Sequence, residues 1–400
     1  MLEHSFQESC KSLHIPMEAT DSRPHVLFII DELCEMGGAE RVLLKMVRLM
    51  PQQAFRCSLL TFKIRPEIEE LRNIGCPLYV WPLRKTYDWN ALKVAGQILR
   101  LIRQERVSIV HTFFETSDIW GAMVARISGC PVLISSRRDL GILRSRKHRI
   151  AYRMIGHFYD AVLAVSPQVR EFCIQTDGLK PARVHTLFNG LEMDPVIGAE
   201  GRAVMRRRDA IPENVPVIAT VANIRRVKGL DVLVRAARLV CDQHPDTIFL
   251  IIGRKSEQEY CRELEEMVHS LGLDSNFRMV GSREDVLSLL KMSDVFCLPS
   301  RSEGFSNALI EAMACGLPCV ATDVGGNREA LEDQVSGFIV ASEDWQKMGD
   351  RLTALLDDRQ MAAGMGRHGE AVVRQKFTAE AMMENLVGIY GRLLLARGHS

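Results

Sequence analysis

No run of about 18 consecutive apolar residues occurs anywhere in this chain of 400 residues, which excludes a membrane-spanning helix of ordinary length. Residues 1–21 are polar and lack the apolar stretch of roughly 7–15 residues that a secretory signal needs, so neither export by such a signal nor membrane insertion is expected. No CxxC pair, no HExxH and no His/Cys cluster at zinc spacing is present; Cys315 and Cys319 alone read as core. Charge of one sign is lacking too. The 51 Lys and Arg balance 50 Asp and Glu to a net +1, which gives no footing for bulk nucleic-acid binding. The 11 cysteines are odd in number, and Cys57, Cys130, Cys297 and Cys319 stand in or beside apolar runs. They read as reduced packing residues of a cytosolic protein.

What is present is 47% hydrophobic content, enough for two globular domains at this length. Short apolar runs alternate with helical periodicity from end to end, the pattern of α/β domains built on parallel sheets. Strands are predicted at 25–30, 57–63, 78–81, 108–112, 131–135, 161–165 and 183–188, then at 217–222, 247–252, 277–281, 294–298, 318–321 and 338–340. The pattern restarts near residue 215, after a stretch at 190–198 with the Gly, Pro and acidic content of a linker. The expectation is a tail at 1–21 read as disordered, a Rossmann-like domain at 22–194 and a second at 195–377, with a cleft between the two. A last helix at 378–400 carries an apolar stripe of Met382, Met383, Leu386, Ile389, Tyr390 and Leu393, for which packing back across the first domain is one solution. In such sheets ligands gather at the carboxyl ends of the strands.

The most informative segment runs from Ser300 to Val320. Ser306 is suited to cap a helix over 307–315, and Gly316 with Pro318 stops it. The N–H groups of Gly304, Phe305, Ser306 and Asn307 are left at the positive end of that helix, where phosphate is attracted. Glu303 precedes the helix. Glu311, one turn inside it and on the face of Asn307, can accept two vicinal hydroxyls such as those of a ribose.

Other candidates lie at predicted strand ends. Gly37 and Gly38 stand between the first strand and a helix, where glycine lets backbone approach a ligand and where glycine is as often purely structural. Arg225 and Lys228, after the strand at 217–222, can neutralise a diphosphate and the charge it gains on leaving; a solvated turn is the bland alternative. His111 ends the strand at 108–112, as a catalytic group or as a packing histidine. Segment 137–153 holds seven Arg or Lys against one acid, Asp139, which suits a solvated face, an anionic acceptor or a membrane surface. Gly325 and Gly326 put another flexible loop on the same side of the second sheet. Gly364-Met365-Gly366-Arg367-His368-Gly369 fits GxGxxG but has no preceding strand, so it is read as helix.

Together these pieces resemble the retaining glycosyltransferases of family 4, which have the GT-B fold. The resemblance spans residues 24–395 and rests first on Glu303…Glu311 within EGFSNALIEAMACGLP. GGAER at 37–41, VSPQVRE at 165–171, FNG at 188–190, Lys228-Gly229 and TDVGGNRE at 322–329 match as well. It implies transfer of a sugar from a nucleotide diphosphate sugar to a hydroxyl acceptor with retention at the anomeric carbon. In the family the first glutamate and the N–H groups after it face the donor sugar, roles that fall on Glu303 and on Gly304 to Ser306. The second glutamate, here Glu311, binds ribose; Lys228 falls on the phosphate lysine; Gly37 and Gly38 approach the donor phosphates from the other domain. The chain departs from the pattern at Asn223, where the family has an arginine for which Arg225 is the candidate replacement, at Phe113 in place of the second histidine of His-x-His, and at the turn Gly253-Arg254-Lys255. With no Asp-x-Asp motif in the chain, no metal and no other cofactor is expected, and full activity in chelator follows. The basic segment Arg137 to Arg153, and not the resemblance, prompts the expectation of a glycan or lipid-linked glycan acceptor in cell-surface polysaccharide synthesis, with peripheral membrane contact through that segment. A nucleotide-sugar epimerase and a non-catalytic nucleotide-sugar-binding subunit on the same scaffold stay open as alternatives.

Overall fold

The structure is a computed structural model that describes residues 21–65, 67–71, 74–141 and 144–398. The expected tail lies outside the described residues except for Asp21. Seven parallel strands, β1 (His25–Ile30), β2 (Arg56–Thr61), β3 (Leu78–Val80), β4 (Val107–Phe113), β5 (Val132–Arg137), β6 (Ala161–Ala164) and β7 (Val184–Thr186), form one sheet in the order β3-β2-β1-β4-β5-β6-β7. Six more, β8 (Val217–Val221), β9 (Ile248–Ile252), β10 (Phe277–Gly281), β11 (Val295–Leu298), β12 (Cys319–Thr322) and β13 (Gly337–Val340), form a second in the order β10-β9-β8-β11-β12-β13. Helices cover both faces of each sheet. All six residues of β1 are therefore buried, and after His25 the strand reads as an unbroken apolar run, not an alternating one.

Both orders reverse beside their first strand. β1 pairs with β2 on one side and β4 on the other, and β8 pairs with β9 and β11. The connections leave those strands in opposite directions and open a crevice at the carboxyl ends. The loops after β1, β8 and β11 are the ones that hold Gly37, Gly38, Arg225, Lys228 and Glu303.

The chain crosses between the sheets twice, and the two crossings pair with each other. Leu191 N donates to Phe377 O at 2.8 Å and Ala379 N to Leu191 O at 2.9 Å. Phe188, Phe305 and Phe377 pack around this point with ring centroids 5.2–5.3 Å apart. The stretch expected as linker carries a short helix, Met193–Gly198, because Pro195 falls in its first turn, where a missing N–H costs nothing. Helix Ala379–Ala396, capped by Thr378, buries Met382, Met383, Leu386, Ile389 and Tyr390 among Val26, Phe28, Phe55 and Ile109 of the first domain. The apolar stripe thus finds its place across the first sheet.

Candidate active site

Lys228 and Glu303 meet. Their Nζ and Oε1 stand 2.6 Å apart, and Ser300 Oγ donates to the same carboxylate oxygen at 2.7 Å. The pairing follows from two local conformations. Gly229 takes φ +63°, and a Cβ there would stand 2.1 Å from Pro299 O, so only glycine lets the Lys228 turn lie against the end of β11. Gly325 and Gly326 then back the other side of the Glu303 loop, with Gly326 N donating to Gly304 O at 2.9 Å. Ser306 caps helix Asn307–Ala314 as expected, accepting from Leu309 N at 3.3 Å.

The first domain closes over this loop. Asn307 Nδ2 lies 3.5 Å from Gly38 O, and Asn189 Nδ2 donates to Asn307 Oδ1 at 2.7 Å. The glycine loop and the start of the phosphate-attracting helix are therefore neighbours across the cleft. Glu311 is half-buried there; burial pushes its carboxyl up to about 6, against the pull of the Arg41 and Lys45 charges from helix Gly38–Leu49. Arg225 reaches the first domain, its Nη2 3.9 Å from Glu35 Oε2, and Arg254 binds the same oxygen at 2.6 Å. Asn223, where the family has an arginine, instead accepts from the backbone N of Arg254 at 3.1 Å and so fixes the turn from which Arg254 reaches Glu35.

His111 has to be revised. It is fully buried; Nδ1 lies 2.6 Å from Tyr390 OH and Nε2 2.9 Å from Ser136 Oγ. Burial, with the Arg138 charge adding to it, lowers its pKa to about 3. A neutral imidazole with both nitrogens engaged pins the C-terminal helix to β4 and has nothing left for a substrate. The basic segment also divides. Arg137 is buried against Asp118, and Arg144 lies 3.2 Å from Asp177, so neither serves as a surface cation. Arg146, Lys147, Arg149 and Arg153 are exposed. The GxGxxG match lies inside helix Arg359–Lys376.

Glu35, Asn189 and Arg254 were not singled out by pattern. Asn189 had a signal in FNG and Arg254 in the altered turn. Glu35 had none, because its partner is 219 positions away. The surface hollow of about 290 Å³ bounded by Arg126, His157, Asp160 and Arg397 is at the amino-terminal edge of the first sheet and takes no part in this cleft.

The arrangement offers cations and helix N–H groups for a diphosphate, a half-buried carboxylate for vicinal hydroxyls, and a paired carboxylate between them. Comparisons with known proteins cover both sides of the cleft. The pattern described as Glycosyltransferase Family 4 matches residues 36–194, and that described as Glycosyl transferases group 1 matches 202–372. Over 335 residues the chain is 23% identical to the UDP-Gal:alpha-D-GlcNAc-diphosphoundecaprenol alpha-1,3-galactosyltransferase of Escherichia coli, covering 81% of this chain and 86% of that one. It is 23% identical over 326 residues to the capsular polysaccharide biosynthesis glycosyltransferase CapM of Staphylococcus aureus, covering 79% and 85%. Among solved structures, Anabaena HepE in complex with UDP superposes with a TM-score of 0.81 at 20% identity over 92% of this chain and 100% of that one. Since the two patterns account for both domains and the fold is GT-B throughout, the chain belongs to glycosyltransferase family 4.

Proposed function

We propose that this protein transfers a hexose from a uridine diphosphate sugar, with retention, to a hydroxyl of a glycan or lipid-linked glycan in cell-surface polysaccharide synthesis. The observation that carries the reading is the Lys228–Glu303 pair at 2.6 Å, set beside the capped start of helix Asn307–Ala314. As the bond from the sugar to the diphosphate breaks, negative charge grows on the leaving group. Lys228, Arg225 and the N–H groups near Ser306 are fixed where that charge develops, so they stabilise the transition state more than the bound donor. Glu303 faces the sugar, Glu311 takes the ribose hydroxyls, and the acceptor oxygen bonds to the anomeric carbon from the face the diphosphate leaves, its proton passing to the departing diphosphate oxygen. Gly37 and Gly38 cover the phosphates from the first domain. No divalent metal is needed in this scheme. The E. coli and S. aureus relatives, named for a diphosphoundecaprenol acceptor and for capsule synthesis, support the acceptor class. We further propose that the enzyme works on an anionic membrane surface.

The test is nucleotide release from a panel of labelled sugar donors, with EDTA present throughout, with and without a bacterial lipid and glycan extract. Acceptor-dependent release is expected. Lys228→Ala should lower kcat by about 10²-fold, as loss of one charge-stabilising donor does; Glu311→Ala should chiefly raise KM, by about tenfold or more. Turnover without any acceptor favours an epimerase, tight nucleotide binding without turnover favours a binding subunit, and rescue by magnesium of an EDTA-inhibited enzyme removes the metal-free scheme.

A further inference from the structure

Basic side chains crowd the amino-terminal edge of the first sheet, where helix Arg146–Ile155 ends. Part of the crowd is explained by that helix end. Arg183 Nη1 donates to His157 O at 3.3 Å and to Tyr159 O at 3.0 Å, and Arg126 donates to Phe158 O, so the carbonyls that the helix leaves open are satisfied. The nearby acids are engaged as well. Asp160 is held by Arg126 at 2.8 Å and by Arg397, and Asp177 is buried against Arg144 at 3.2 Å.

What remains is a second, smaller hollow of about 100 Å³, which shares His157 and Arg183 with the one of about 290 Å³. Arg153, Lys180, Gly178 and Leu179 bound it too, and no acidic residue among the described residues lines it. Two glycines shape it. Gly178 takes φ +69°, and a Cβ there would stand 3.7 Å from Arg153 Nε, so the head of Arg153 lies along the turn that leads to Lys180. Gly156 lets Leu179 close on the helix end, where a Cβ would meet its Cδ2 at 2.6 Å. Among the described residues no hydrogen bond or ion pair engages the side chains of Arg153, Lys180 or His157, and Arg183 keeps Nε and Nη2 without a partner.

Cations gathered without a counter-ion repel one another, and an anionic ligand relieves the repulsion. The forks of Arg153 and Arg183 each suit two oxygens of one phosphoryl group, and Lys180 adds a point charge. We propose that this hollow binds a phosphoryl anion, a terminal phosphate carried by a lipid headgroup or by a small soluble molecule. Arg153 and His157 precede β6, and Lys180 and Arg183 precede β7, so the site is at the opposite end of the sheet from the cleft. It stands whether or not the sugar-transfer reading does. Met154 and Phe158, next in sequence to Arg153 and His157, are exposed, as side chains at a bilayer boundary are.

Calorimetry and thermal unfolding of the full chain test it, with inorganic phosphate and glycerol 3-phosphate as soluble probes. Saturating UDP occupies the donor cleft, and 0.2 M chloride screens weak surface attraction. Wild type should bind both probes saturably and gain Tm from them. The double variant Arg153→Gln, Lys180→Gln, two exposed positions, should lose affinity for both at least tenfold and keep its UDP affinity within twofold. Arg84→Gln with Lys85→Gln removes the same charge elsewhere and should bind the probes as wild type does. A wild type that binds neither probe overturns the proposal, as does a double variant that binds them unchanged or a control that loses them equally. Vesicles of phosphatidylcholine with phosphatidic acid then separate the sources. Sedimentation that is weaker in the double variant and reversed by inorganic phosphate makes the ligand a headgroup. Equal sedimentation of both proteins, with the soluble probes still bound by wild type alone, makes it a soluble phosphate. If UDP itself does not bind, the donor reading fails, while the difference between wild type and the double variant still reports on the hollow.

Discussion

Glu311 is a carboxylate asked to do two opposed things. Burial favours its neutral form, up to a pKa of about 6, whereas ribose hydroxyls donate to its ionised form. An ordinary glutamate in the unfolded chain titrates near 4.5, so the folded protein holds the extra proton, and Glu311 makes the fold less stable as pH rises from about 4.5 through 6. A bound donor reverses the preference. With UDP-glucose, whose diphosphate diester does not titrate in this range, affinity should weaken about tenfold per pH unit below 6 and level off above 7. Glu311→Gln should bind less tightly at pH 7.5 and show a flat profile from pH 5 to 7.5. Calorimetric titrations at four or five pH values decide it: a sloping profile that survives in Glu311→Gln means another group is responsible.

At the scale of elements, the cleft depends on two loops approaching more closely than side chains allow. An Ala at 304 would place its Cβ 2.0 Å from Arg138 O and 3.0 Å from Val165 Cγ1, backbone and branched side chain that have little room to yield. Gly304→Ala should therefore displace the Glu303 loop or the first domain and lower kcat/KM by about 10²-fold, the scale of a misplacement of about 1 Å. Gly364→Ala is the control: it lies in helix Arg359–Lys376 with nothing within 4 Å of its Cβ, and alanine there should slightly stabilise the helix and leave activity alone. Wild-type kinetics in Gly304→Ala would show that the close approach is not part of the working cleft. The same comparison shows what was legible beforehand. Every strand expected from its β-branched run is present within a few residues, and the Ser306 cap follows from local chemistry alone. The fates of Arg137 against Asp118, of His111 against Tyr390, and of Glu35 against Arg254 were not legible, because each is set by a partner outside its own local pattern. A strand pattern says that neighbours alternate faces; it does not say which face holds a carboxylate.

The whole molecule carries its exposed apolar side chains unevenly. Of twelve large hydrophobic residues that stand exposed among the described residues, eight (Tyr87, Trp89, Leu92, Met123, Ile127, Ile150, Met154 and Phe158) lie on or beside three helices, Trp89–Gln104, Ala122–Ile127 and Arg146–Ile155. All three pack on one face of the first sheet, through Val94, Ile98, Val124, Ala125, Tyr152 and Ile155. Helix Arg146–Ile155 has no acidic residue; Ile150 and Met154 stand exposed on it at i, i+4, and Phe158 is exposed in the turn that follows it. Exposed Arg84, Lys85, Lys93, Arg146, Lys147, Arg149 and Arg153 stand on or just before two of these helices. Exposed apolar groups and cations carried on the same helices suit the boundary of an anionic bilayer, where each basic side chain near the surface contributes about 1 kcal/mol. His148, in the first turn of that helix, lies 2.9 Å from Glu115 in the loop after β4, so the surface begins at the edge of the cleft. An acceptor held in the bilayer would then meet the donor without leaving it. The protein should sediment with phosphatidylglycerol vesicles at 0.1 M salt, release at 0.5 M, and ignore phosphatidylcholine vesicles. The triple variant Trp89→Ser, Ile150→Ser, Met154→Ser should stay in the supernatant and keep its UDP affinity. Sedimentation of the triple variant with anionic vesicles would show that this face is not the membrane contact, and self-association of the wild type through it without lipid binding would remove the bilayer from the scheme.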